Sequence, residues 1–121
     1  MILYHGTSEE NKNKILKEGF TANYGEYGIC LYLAKSKELA RDYGDYLIET
    51  FVDDEFITFI NWEKDSATET RLEVELMAQK QNLKAICIQY QYVNSSMDYT
   101  EVCVFDLSIV EINAENSIDL F

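Results

Sequence analysis

The single histidine of the chain lies in Tyr4-His5-Gly6-Thr7. Three residues stand out with it: Tyr32, within Gly28-Ile29-Cys30-Leu31-Tyr32-Leu33-Ala34; Tyr43, eleven residues later; and Glu101, within Tyr99-Thr100-Glu101-Val102-Cys103-Val104-Phe105. One imidazole, two spaced tyrosines and one late carboxylate form a set that could hold and break a dinucleotide. The imidazole both donates and accepts hydrogen bonds, and the carboxylate is ionised at neutral pH without any special environment. Each residue also has a plainer role. A lone histidine at a strand end is by default structural, nine tyrosines make a chance pair easy to find, and a glutamate among strand residues usually faces solvent.

The elements that must position these residues follow from caps, glycines and apolar periodicity, since the chain has no proline. Ile2–His5 reads as a short first strand. Ser8 is placed as the N-cap of a helix over 9–18 with Ile15 and Leu16 inward, and Gly19 as its stop. Residues 20–28 read as a loop, and Ile29–Leu33 as a strand. Ser36 caps a helix over 37–43 whose inner face is Leu39, Ala40 and Tyr43, with Gly44 ending it. Strand-like runs follow at 46–52 and 55–61. The Ser66-x-x-Glu69 capping box opens a helix through about residue 80, with Leu72, Leu76 and Met77 on one face. Strands are expected again at 84–92, 99–105 and 109–112, with a polar turn over 93–98. This order indicates an α+β fold with a mostly antiparallel pair of sheets.

Length, 121 residues, sets one compact domain over 1–121. No apolar run approaches a membrane helix, and the N-terminal residues lack the pattern of a signal peptide, so the expectation is a soluble, cytoplasmic protein. Cys30, Cys87 and Cys103 each sit in an apolar context, which favours buried reduced thiols, and one histidine without paired cysteines gives no zinc pattern. With 22 acidic against 10 basic residues, the net charge of −12 repels phosphate backbones. Lys12, Lys14 and Lys17 are expected on a solvated face of the first helix.

Five motifs in order resemble the catalytic domain of the poly(ADP-ribose) polymerases and the wider diphtheria-toxin-like ADP-ribosyltransferases. They are Leu3-Tyr4-His5-Gly6-Thr7, Ile15-Leu16-x-x-Gly19-Phe20, Gly28-x-x-Leu31-Tyr32-Leu33-Ala34, Ala40-x-x-Tyr43 and Tyr99-x-Glu101-Val102-x-Val104-Phe105-Asp106. The resemblance runs from residue 3 to about 112 and is patchy between 45 and 98. It implies split antiparallel β-sheets with short flanking helices around an NAD cleft, and a His-Tyr-Glu catalytic triad of His5, Tyr32 and Glu101. It assigns His5 to a ribose hydroxyl of NAD, the Gly6 backbone to the nicotinamide carboxamide, and Thr7 to the adenosine ribose. Tyr32 and Tyr43 would sandwich the cationic nicotinamide ring, which their electron-rich faces attract. Glu101 would hold the 2′-hydroxyl of the nicotinamide ribose and stabilise the oxocarbenium-like charge that forms as nicotinamide leaves, as carboxylates do in glycoside cleavage.

The resemblance also implies what is consumed and what accepts it. NAD is a co-substrate, and no cofactor is bound permanently. No Gly-x-Gly-x-x-Gly fingerprint points to a redox dinucleotide fold. Ala40 stands where the polymerases carry a hydroxyl residue that helps hold the carboxamide. Tyr99, two before the glutamate, departs from the acidic or amide residue of arginine-modifying relatives. The short loop over 93–98 makes Met97 and Tyr99 the acceptor-loop contacts and favours transfer of one ADP-ribose over chain elongation. The expected acceptor is a macromolecule, protein before nucleic acid because of the net charge. The alternatives are an NAD glycohydrolase, with water as acceptor, and a module that binds NAD or a partner without turnover. No paired His and Arg support the related NAD-dependent RNA 2′-phosphotransferases. A stand-alone transferase of this size fits a bacterial or phage effector held in check by a neutralising partner protein.

Overall fold

Strands form where β-branched and aromatic residues cluster, and their pairing decides which side chains meet. A computed structural model describes residues 1–25, 28–63, 76–77, 79–91, 100–115 and 117. In chain order the elements are β1 (Ile2–Thr7), α1 (Glu9–Glu18), β2 (Asn23–Gly25), β3 (Gly28–Ala34), α2 (Lys37–Arg41), β4 (Tyr46–Val52), β5 (Ile57–Glu63), β6 (Ala85–Gln91), β7 (Glu101–Val104) and β8 (Val110–Asn113). Short 3-10 turns at Asp54–Phe56 and Leu107–Ile109 lead into β5 and β8. The fold is α+β, with a mixed sheet and few helices.

Seven strands follow one order, β5-β6-β7-β3-β1-β4-β8, and β2 pairs with β3. All described pairs are antiparallel except β5 with β6, which run parallel from Ile57↔Ala85 to Glu63↔Gln91. A parallel pair needs a crossover, and described residues 76, 77 and 79–81, which lie between these strands in sequence, are helical. β6 is buried on both faces. Ala85 and Cys87 face the layer containing Leu3, Leu33, Val52 and Val102, while Ile86 and Ile88 face Cys30 and Cys103. Burial of both faces is the usual condition of a strand in a parallel pair.

The sheet parts at its centre. β1 is paired with β4 over all six of its residues, from Ile2↔Phe51 to Thr7↔Tyr46, and β3 with β7 from Leu31↔Val104 to Ala34↔Glu101. Between β1 and β3 only Tyr4↔Ala34 is in register.

α1 spans residues 9–18 as its signals indicate. Ser8 Oγ accepts from the Asn11 N–H at 3.2 Å, and the Gly19 N–H donates to Ile15 O with Gly19 at φ +87°. Its faces differ from expectation. Lys12 is buried, at 5% exposure, and Leu16 is exposed, at 39%. With few apolar residues on this helix, the aliphatic stem of a lysine covers apolar surface in place of a leucine. α2 ends at Arg41, two residues earlier than expected. Its last carbonyls are taken by tight bonds from the N–H groups of Asp42, Tyr43 and Gly44 to Leu39, Ala40 and Arg41. Leu39 and Ala40 are buried as expected, but Tyr43 falls on this exposed turn. β2 lies in what reads as a loop. Asn23-Tyr24-Gly25 lacks apolar character, and its strand form comes from the ladder to β3 through Asn23↔Cys30 and Gly25↔Gly28. All three cysteines are buried. The capping box at Ser66 and Glu69, and the loop over 93–98 with Met97 and Tyr99, lie outside the described residues.

Candidate active site at the parting of two strands

β1 and β3 part just past Tyr4↔Ala34, and an open cavity of about 130 Å³ occupies the gap. Its walls are Tyr4, His5 and Gly6 from β1, residues 30–34 from β3, Ala40 and Tyr43 from α2 and its turn, Asn23 from β2, and Glu101 from β7. Five of the singled-out residues, His5, Gly6, Tyr32, Tyr43 and Glu101, thus meet around one space. Thr7 is buried, paired with Tyr46, and lines neither this cavity nor the adjoining one. Strand alternation explains the rest of the wall. Tyr32 and Cys103 are directly opposed, and Glu101, two residues before Cys103, shares their face.

His5 fills the place where a further β1–β3 pair would stand. Its Nδ1 lies 3.3 Å from the Tyr32 carbonyl oxygen. A carbonyl only accepts, so Nδ1 carries the hydrogen and Nε2 of the neutral ring is an acceptor. Burial pushes the His5 pKa below its usual value, against the opposing pull of the Tyr32 carbonyl. The Phe20 ring meets the imidazole edge-on, with centroids 5.2 Å apart, and further limits its rotation.

Two glycines let the turn after α2 reach the cavity. A Cβ on Gly6 would run into the Ala40 carbonyl, and a Cβ on Gly44 would run into the backbone of Thr7. β1 and this turn therefore pack backbone to backbone. That packing carries Tyr43 to the lip of the cavity, where its ring is 62% exposed. From the lip its hydroxyl donates to Glu101 Oε1 at 2.9 Å.

Two further groups shape the electrostatics. Hydrogen bonding to Cys103, and then to Tyr32, draws the Cys30 thiol pKa down, while burial and the Glu101 charge oppose this. Burial, and then the charge of Glu49, raise the pKa of Tyr4. Tyr4 therefore stays a neutral phenol at the rear of the cavity, with Lys37 Nζ 5.5 Å from its ring centroid.

A second open cavity of about 380 Å³ adjoins the first and shares His5, Asn23 and Leu31 with it. Its wall is more polar and includes Asn11, Lys14, Glu18 and Thr21. Sequence reasoning missed Asn23, which reads as loop; only its pairing with Cys30 places it at the junction. Among the described residues, no group of three or more His, Cys, Asp or Glu is placed to hold a metal ion. None of their helices is long and apolar enough to cross a membrane. No protein-family model matches the chain, and no curated protein sequence matches it either.

Proposed function

We propose that this chain is an NAD-dependent mono-ADP-ribosyltransferase built on an ADP-ribosyltransferase-like fold. It cleaves the nicotinamide–ribose bond and transfers ADP-ribose to a macromolecular acceptor. One observation carries the reading: His5, Tyr32, Tyr43 and Glu101, distant in sequence, line one cavity at the parting of β1 and β3. The more polar cavity beside it suits a ligand of two unlike halves joined near His5 and Asn23.

Each residue has a physical task in this reading. The faces of Tyr32 and Tyr43 attract the cationic ring. Neutral His5 offers Nε2 to a ribose hydroxyl. Glu101 accepts from the ribose and faces the positive charge that grows on the sugar as the C–N bond breaks and its electron pair leaves with nicotinamide. The acceptor's nucleophilic atom then bonds to the sugar carbon and gives up its proton. Protein is the proposed acceptor class, because a net charge of −12 disfavours polyanions.

The test is incubation with NAD labelled in its adenosine half, with and without cell lysate. The expected result is nicotinamide release and protease-sensitive label on macromolecules. Glu101→Gln should lower release on the order of a hundredfold or more while the circular dichroism stays that of the native chain. Free ADP-ribose as the sole product would replace this reading with a glycohydrolase. NAD binding without release would replace it with a non-catalytic binding module.

A further inference from the structure

Glu101 lies at the first residue of β7, between Ala34 on β3 and Ile88 on β6. Neither neighbouring side chain has a hydrogen-bonding atom. From outside the sheet, the Tyr43 hydroxyl donates to Glu101 Oε1 at 2.9 Å. The turn that bears Tyr43 is in turn anchored by the close backbone packing of Gly6 and Gly44.

Resting on the function proposed above, we infer that Tyr43 has two separable roles: its ring binds the leaving nicotinamide, and its hydroxyl is a positioning group that holds Glu101 for the transition state. A hydrogen bond from a neutral donor to a charged acceptor is among the stronger kind. A carboxylate accepts several such bonds, so this one does not exhaust Glu101. The hydroxyl acts on the substrate through Glu101. Its loss therefore lowers turnover while leaving binding of the ring intact.

The experiment compares wild type, Tyr43→Phe and Tyr43→Leu for nicotinamide release over a range of NAD concentrations. Because Tyr43 is largely exposed, Tyr43→Phe is expected to unfold at the wild-type temperature, which a thermal melt checks. The expected outcome for Tyr43→Phe is a kcat lower by about tenfold or more with KM within about twofold. Tyr43→Leu, which also removes the ring, should raise KM as well. A Tyr43→Phe kcat equal to wild type, or a change confined to KM, overturns the positioning role and leaves the proposed function standing. Failure of the wild type to release nicotinamide overturns both.

Discussion

His5 and Tyr32 meet across the parted strands, imidazole Nδ1 to main-chain carbonyl at 3.3 Å. A side chain thus does what a ladder bond does elsewhere in the sheet. The contact also fixes which ring nitrogen faces the cavity with a lone pair.

Burial makes His5 a source of pH-dependent stability. Burial holds its folded pKa below 6.5, so between that lowered value and 6.5 the unfolded chain binds more protons than the folded one. The stabilisation is complete above pH 6.5 and is lost as pH falls through the folded pKa. Urea midpoints measured at intervals from pH 7.5 down to about 5 should therefore fall more steeply for wild type than for His5→Gln. Parallel curves would show that His5 carries no such linkage.

Gly6 bears on the site through packing alone. Gly6→Ala drives a Cβ into the Ala40 carbonyl, and backbone there cannot step aside as a flexible side chain would. A stability loss of about 3 kcal/mol is expected, read as a shift in the urea midpoint. Nicotinamide release should fall with it, because the same contact places Tyr43. A Gly6→Ala protein as stable as wild type would show that this corner is loose.

Ala40 tests the cavity from the opposite direction. It lines the wall without offering a hydrogen bond. Ala40→Ser adds a hydroxyl there with little added volume and should tighten inhibition by free nicotinamide roughly three- to tenfold. Inhibition constants from release assays at fixed NAD decide it. Unchanged inhibition would place the nicotinamide carboxamide away from Ala40.

Local chemistry was legible in the sequence wherever one residue decides the outcome. Ser8 and Gly19 bound α1 at both ends, and the apolar run from Tyr46 to Val52 bounds β4. His5, Tyr32, Tyr43 and Glu101 were nameable from residue type and order, and they line the same cavity. What was not legible depends on partners distant in sequence. No local periodicity tells whether β5 and β6 run parallel, although a helix between two apolar strands was itself the hint of a crossover. The strand form of Asn23–Gly25 is imposed by β3, and the burial of Lys12 by packing that helical periodicity on a polar helix does not reveal. Thr7 follows the site motif in sequence but lines neither cavity, and its backbone packs against that of Gly44.

The lone bridge between Tyr4 and Ala34 divides the strands into two leaves, β1-β4-β8 and β5-β6-β7-β3. One apolar layer, with Leu3 and Val52 from the first leaf and Leu31, Leu33, Val102 and Val104 from the second, binds them along one side of the seam. Past the bridge the seam stands open, with His5 on one leaf and Tyr32 and Glu101 on the other. A molecule gripped by all three would be a clasp between the leaves, added to the Tyr4–Ala34 bridge and the His5–Tyr32 contact. Its departure would return the seam to that bridge, that contact and the apolar layer.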